Sequence, residues 1–471
     1  MTTLARDGAA IAATEAAPSG DLARNLSNRH LQLIAIGGAI GTGLFMGSGK
    51  TISLAGPSIL LVYGIIGCML FFVMRALGEL LLSNLNYRSF ADFAGDLLGP
   101  WAKFYTGWTY WLCWVVTGVA DVVAVAGYVS FWFPELALWI PALGLIVTLL
   151  VLNLPTVRSF GEIEFWFALI KIVAIVALIV TGMVMLTTGF HLPNGTPAVV
   201  SNLWAHGGFF PNGFSGFVAG FQIAVFAFVG IELVGTAAAE AEDPRRTLPK
   251  AINSIPIRIV VFYLGALFVI MTVTPWNQIS PDTSPFVSMF ALAGLGVAAH
   301  VVNFVVLTSA TSSANSGIYS TSRMIFGLAD SGDAPRGLGR LNRRKVPVNA
   351  LFFSCVFLLA GVVLLYAGQS VMEAFTMVTT VSALLFIFVW SIILASYIQF
   401  RRTRPELHAE SAFKMPGGIP AAIVVYAFFA FVLWALSQQS DTARALMVTP
   451  LWFVLLAMVY PFVRRRKTRT V

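Results

Sequence analysis

A chain of 471 residues that is 58% hydrophobic and only 11% charged cannot clothe a water-facing surface, because soluble domains carry about 25% charged residues. With a mean hydropathy of +0.83, a soluble enzyme or binding domain is excluded and a polytopic membrane protein is implied. The net charge of +8 and the pI near 9.5 would suit a nucleic-acid binder, but the placement of the basic residues argues against one.

Twelve apolar segments are long enough to cross a bilayer, at about 20 residues each. They lie at 31–49, 57–82, 104–133, 137–156, 162–187, 214–239, 257–275, 288–322, 348–367, 374–399, 420–437 and 446–463, and are numbered one to twelve below. Of the 29 Lys and Arg residues, only Lys50 and Arg444 fall on the side opposite the termini. Arg75, Lys103 and Lys171 lie within or at the edge of segments, and the rest are on the side of both termini. The positive-inside rule then predicts cytosolic termini. The basic charge is an orientation signal, so no nucleic-acid partner is expected. Residues 1–28 are Ala-rich and mixed in charge, without a signal h-region. They read as a disordered cytosolic tail, with 29–463 as the helical membrane domain and 464–471 as a basic cytosolic tail.

Segment one contains "GGAIGTGLFMGSG" (37–49) between apolar flanks. Each glycine costs a helix roughly 1 kcal/mol relative to alanine, so the segment is weak at its centre. A helix broken at mid-bilayer bares amides on one half and carbonyls on the other, which lipid cannot satisfy. Amides at a half-helix N-terminus suit an anion, and the carbonyl end suits a cation. A zwitterion such as an α-amino acid would satisfy both. The alternative reading is close helix packing through small residues. "GSGKT" (47–51) ends like a phosphate-binding loop, but that pattern needs glycine where Leu44 stands, after a strand.

In segment two, Glu79 follows Arg75 by one turn, which predicts an internal ion pair. The linker 83–100 is amphipathic and reads as a short interfacial helix or a solvated loop. Segment three is rich in aromatics (Trp101, Tyr105, Trp108, Tyr110, Trp111, Trp114), a membrane-interface belt with packing. It also carries Asp121 at mid-depth, which faces either a substrate ammonium or a hydroxyl across the bundle. In segment five, Lys171 stands among Ile170, Ile172 and Val173. Ionisable groups at membrane depth are functional hypotheses by default. Burial strips the hydration that favours the ammonium, so Lys171 either exchanges a proton during a cycle or stays charged on backbone carbonyls. Glu162 and Glu164, nearer the segment's start, read as interface charges.

Segment six carries "FAFVGIELVG" (226–235), a second mid-segment weak point with Gly230 and Glu232. Glu232 is a candidate proton carrier, or else orients unwound backbone; Glu240 is a candidate gate residue. Two broken helices five segments apart are the mark of an inverted repeat with its substrate site between them. The linker 242–258 is again amphipathic. Segment eight holds "TSATSSANSGIYSTS" (308–322), from which Ser312, Ser313 and Asn315 are expected to face Lys171. Cys68, Cys113 and Cys355 all sit inside segments and read as packing residues. Of five histidines only His300 lies in a segment, and no metal-ligand pair occurs, so neither metal nor cofactor is expected.

Four stretches carry a resemblance: "NRHLQLIAIGGAIGTGLFMGSGKTISLAGPS" (28–58), "FGEIEFWFALIKIVAIVALI" (160–179), "FVGIELVGTAAAEAEDP" (228–244) and "TSSANSGIYSTSRMIFGLA" (311–329). They resemble the bacterial amino-acid permeases of the amino acid–polyamine–organocation superfamily, from about residue 24 to the C-terminus. The resemblance implies an all-α membrane protein of twelve transmembrane helices. Its fold would be the leucine-transporter type, a five-plus-five inverted repeat with helices one and six broken and two extra helices. It implies a multi-pass protein of the bacterial inner membrane that moves an amino acid and a proton together, and no enzyme. The expected substrates are small and neutral: D-alanine, D-serine and glycine. An exchanger, or a permease for aromatic or L-neutral amino acids, is the alternative.

Carried over by position, the substrate carboxylate falls on Gly41, Thr42 and Gly43. The ammonium falls on carbonyls of Ala39, Phe226 and Val229; Ile40 and Gly230 belong to the same two breaks, and Asp121 is a further candidate contact on its own mid-segment position. Phe226 or Phe228 would be the aromatic gate. Lys171 would bridge helices one and eight where sodium-coupled relatives bind their ion, with Glu232 the other proton-coupling candidate.

Overall fold

The computed structural model describes residues 40–87, 89–155, 157–238, 243–367 and 370–468. Among the described residues the regular elements are helical, with one isolated β-bridge between His191 and Pro197. This follows from the medium: lipid offers no hydrogen bonds, so spanning backbone must close its own. Ten helices among the described residues are long and apolar enough to cross a membrane, and Trp139–Asn153 is a shorter apolar helix.

Several boundaries differ from the sequence expectation. Segment one continues as a helix Gly47–Ala55, past the expected end at 49, because Lys50 turns out of the apolar region to reach Asp441 at 3.1 Å. It stops at Gly56, whose φ of +58° suits glycine. One 3₁₀ turn, Gly56–Ser58, leads into segment two, Ile59–Ser83. Segment eight divides into Pro285–Leu292 and Gly296–Asp330, with Gly294 between them. Segment seven comprises Pro244–Asn253, Ile255–Arg258, the π-helical turn Ile259–Gly265 and Ala266–Val273. Both amphipathic linkers contain helices. Phe90–Leu98 starts on a reciprocal Ser89–Asp92 capping box, and Pro244–Asn253 is capped by Asp243, which accepts from the Arg246 amide at 3.3 Å.

The centre of the bundle is segment three, Pro100–Ser130, flanked by segment eight, Gly296–Asp330, and segment ten, Val371–Thr403. Gly317 permits the close approach of eight to three: a Cβ there would lie 2.5 Å from Trp114 Cε3. The hydroxyl pairs Tyr110–Ser320 (3.0 Å) and Thr117–Ser382 (2.7 Å) stitch three to eight and ten.

The expected Arg75–Glu79 pair is replaced by a clamp. Fully buried Glu79 accepts from His408 Nδ1 at 2.5 Å and from the Met415 amide at 2.7 Å. Arg75 instead donates to the Lys414 carbonyl and to Asn253 Oδ1 (2.7 Å), and lies 3.8 Å over the Phe413 ring. The connector between segments ten and eleven is thus tied to segment two. Nearby, the Tyr87 hydroxyl and then Arg404 hold the Asp96 carboxyl below the usual carboxylate range. Glu79→Ala leaves the Met415 amide buried without its acceptor, a loss of about 1–3 kcal/mol. Limited proteolysis of the purified protein is expected to cut the 404–417 connector faster in this variant than in the wild type.

Candidate functional site

Two interrupted helices meet at the centre of the bundle. In segment one, Gly41 is extended (φ −126°, ψ −164°) and the helix resumes at Thr42–Phe45. The Gly41 carbonyl takes the Leu44 and Phe45 amides at 3.2 and 3.3 Å. The amides of Thr42 and Gly43, being first in the new turn, have no helical acceptor behind them among the described residues.

In segment six, Phe221–Ala224 passes into a 3₁₀ turn, Phe226–Phe228. Val229 is then extended (ψ 138°), and Gly230 has φ +98°, a conformation glycine alone adopts without strain. The helix resumes at Leu233–Ala238. The freed groups find partners locally. The Phe226 carbonyl accepts from Val229 and the Phe228 carbonyl from Ile231, at 3.1 and 3.3 Å. Tyr263, brought in by the π-helical turn of segment seven, donates to the Ala227 carbonyl at 2.9 Å. Glu232 reaches back two residues to accept from the Gly230 amide at 3.2 Å.

The breaks touch. A Cβ on Gly43 would lie 2.5 Å from Ala227 Cα and 2.9 Å from the Phe226 carbonyl carbon. Glycine at 43 meets a packing demand, since the room a side chain would need is already filled by the backbone of segment six. Gly41 is looser, for its Cβ would meet only the Ser313 hydroxyl at 3.3 Å.

Two buried ionisable side chains reach the first break, and a third lies two helical turns from one of them. Lys171 Nζ donates to the Ile40 carbonyl at 3.1 Å, and Ser309 donates to the same oxygen at 3.1 Å. Thr42 donates to Asp121 Oδ1 at 2.7 Å, while Asp121 Oδ2 is buried without a hydrogen-bond partner among the described residues. Glu164 is the third. Read from sequence as an interface charge, it is 1% exposed and accepts from Ser312 (2.7 Å) and Asn315 Nδ2 (2.8 Å). Those two residues were expected to face Lys171; the helix-eight hydroxyl sharing a partner with Lys171 is Ser309. The signal for Glu164 was its spacing: seven residues before Lys171 is two turns, the same face of one helix.

Asp121, Ile40, Gly41, Thr42, Gly43, Phe226, Val229 and Gly230 therefore lie at or beside the facing breaks, and Lys171 is tied to the first. Glu232 lies in the second break, its carboxyl buried beside Trp114 and Trp390. Phe228 is stacked on Tyr263 (4.8 Å, 18°) beside Tyr63, so it belongs to the packing behind the break. Phe226 meets Phe375 of segment ten edge-on at 6.0 Å. Ala39 and Glu240 fall outside the described residues.

The contrast between the two glycines is testable. Gly43→Ala forces the breaks apart and is expected to cost about 1–3 kcal/mol, as overpacking does. Gly41→Ala asks only a serine side chain to move. In thermal melting of the detergent-purified protein, Gly43→Ala should lower the transition and Gly41→Ala should leave it near wild type.

Comparison with known proteins agrees with this architecture. The profile of the family described as "Amino acid permease" matches residues 30–471. The D-serine/D-alanine/glycine transporter of Escherichia coli (strain K12) is 63% identical over 462 residues, 98% of each chain. Amino-acid permease AapA of Bacillus subtilis (strain 168) is 53% identical, covering 94% of this chain and 96% of that one. A probable threonine/serine transporter of the same organism, YbxG, is 43% identical over 93% of this chain and 95% of its own length. With two interrupted helices face to face inside a many-helix bundle, and a family profile that spans nearly its whole length, this chain belongs to the amino acid permease family.

Proposed function

We propose that the protein is a proton-coupled symporter that brings D-alanine, D-serine and glycine into the cytosol by alternating access. The reading places it in the bacterial inner membrane as twelve helices, built as a five-plus-five inverted repeat and two further helices, with both termini cytosolic. The amino acid binds between the breaks. Its carboxylate takes the free amides around Gly41, Thr42 and Gly43, and its ammonium turns to carbonyls of Ala39, Phe226 and Val229. Asp121, buried and bonded to Thr42, is a further acceptor at the same place, supported by an Oδ2 with no hydrogen-bond partner among the described residues. The 63% identity to a D-serine/D-alanine/glycine transporter supports the substrate class.

One observation carries the coupling argument: Lys171 donates to the carbonyl of Ile40, the residue immediately before the Gly41 turn. An ammonium holds that carbonyl with a charge-assisted bond. A neutral amine holds it more weakly and frees the break to change shape. The proton on Lys171 and the geometry of the carboxylate subsite are then one linked equilibrium. Glu232 is the second candidate carrier, since its Oε2 orders the Gly230 amide in the other break.

Lys171→Ala tests this reading in proteoliposomes. The variant should lose accumulation of labelled glycine driven by a pH gradient and keep counterflow exchange. Accumulation at the wild-type level would move the coupling role to Glu232. Competition against labelled glycine tests the substrate range. D-alanine and D-serine should compete, and L-lysine and L-phenylalanine should not, because Phe226 crowds the space beside the ammonium. Strong competition by phenylalanine would make the protein an aromatic permease with the same coupling.

A further inference from the structure

We propose that Glu164 relays the coupled proton from Lys171 to the cytosol, an inference that rests on the proton coupling proposed above. The carboxylate is 1% exposed and sits on segment five, two turns before Lys171 and towards the basic side of the bundle. Helix eight touches both ends of the transfer. Ser309 shares the Ile40 carbonyl with Lys171, and Ser312, three residues on, donates to Glu164. Three residues of α-helix rise about 4.5 Å, so the two groups are served by adjacent turns of one polar stripe.

The stripe continues the same way. Asn315 donates to Glu164 Oε1, and its own oxygen accepts from Asn153 Nδ2 of segment four at 2.7 Å, which fixes the amide's orientation. The buried Ser316 hydroxyl lies next to Glu164. One turn further, Tyr319 stacks on Phe160 at 3.6 Å and 7°. Phe160 precedes Glu164 by one turn, so this stack closes the lower end of the stripe, and Arg323 lies 3.2 Å over the Tyr319 ring.

The charged groups around Glu164 are few. Among the described residues Lys171, on its own helix, is the charged group acting on Glu164, and Asp121 of segment three acts in turn on Lys171; segment eight presents neutral Ser312, Asn315 and Ser316 to Glu164, with Asn153 of segment four behind Asn315. Both Glu164 oxygens accept from neutral donors, as a carboxylate requires. The step balances simply. One N–H bond of the Lys171 ammonium breaks, the proton passes along the hydroxyl stripe of segment eight, and one O–H bond forms on Glu164, leaving an amine and a carboxylic acid. The acid then gives the same proton to cytosolic water when the Phe160–Tyr319 stack opens, and the carboxylate returns. Glu164→Gln keeps the size of the side chain and the acceptor facing Asn315, turns the other oxygen into a donor that the Ser312 hydroxyl can accept, and removes the titrating group.

The test uses the full chain in proteoliposomes with labelled glycine and an internal pH dye. With Glu164→Gln, gradient-driven accumulation and glycine-induced internal acidification should fall about tenfold or more, while counterflow stays within about threefold of wild type. Glu164→Asp should restore part of both. Ser316→Ala, which leaves the carboxylate in place, should slow acidification at unchanged counterflow. Wild-type accumulation by Glu164→Gln would overturn the relay and leave coupling intact. So would a loss of counterflow in step with accumulation, in Gln and Asp variants alike, for that is a structural role. If the wild type itself shows no glycine-induced acidification, proton coupling fails and the relay with it.

Discussion

Backbone that leaves a helix inside a bilayer has no solvent to turn to. Each unpaired amide or carbonyl costs several kcal/mol in hydrocarbon, and this chain interrupts two helices at the same depth. Most other polar features of the bundle follow from that demand. Lys171 and Ser309 serve the Ile40 carbonyl, Tyr263 serves the Ala227 carbonyl and Glu232 serves the Gly230 amide. The side chains that serve the breaks come from segments five, six, seven and eight, so the breaks organise the helices around them. The arrangement also explains why buried ionisable groups are tolerated where hydration is absent: each has backbone or hydroxyl partners, which a lone charge in lipid would lack.

The sequence revealed the chemistry of the breaks better than their packing. Gly41 and Gly43 stood out because glycine at mid-segment is costly, and Gly230 because it sat beside an acid. Lys171 was legible because nothing else near it is polar. Glu164 was misread. Distance from the segment's start suggested an interface, whereas the helix begins five residues earlier than its apolar run and carries Glu164 well inside. Hydropathy marks where a helix is greasy, not where it begins. The role of Tyr263 was not visible at all. It depends on a π-helical turn, and "IVVFYLG" reads as an ordinary apolar run. The fate of Glu79 was equally hidden, because its partners His408 and Met415 come from far along the chain, and no local spacing rule reaches that far.

The two glycines of segment one also separate two ideas that glycine-rich sequence merges. Gly41 supplies an extended turn with a movable neighbour. Gly43 supplies contact between two main chains, with less than a methyl group's width between them. Only the second is a packing constraint in the strict sense, and only a structure distinguishes it from the first. Small-residue patterns in membrane helices therefore mark close approach without saying whether the partner is a ligand or another backbone.

The π-helical turn at Ile259–Gly265 has a mechanical consequence. It presents Tyr263 to segment six by two independent contacts, a hydrogen bond to the Ala227 carbonyl and a face-to-face stack on Phe228. A hydrogen bond resists sliding and a stack resists tilting, so segment six cannot roll about its axis at the break without carrying segment seven along. A rotation of segment six that keeps both contacts must carry Tyr263 with it, so the break at Gly230 is held from segment seven as well as from its own chain.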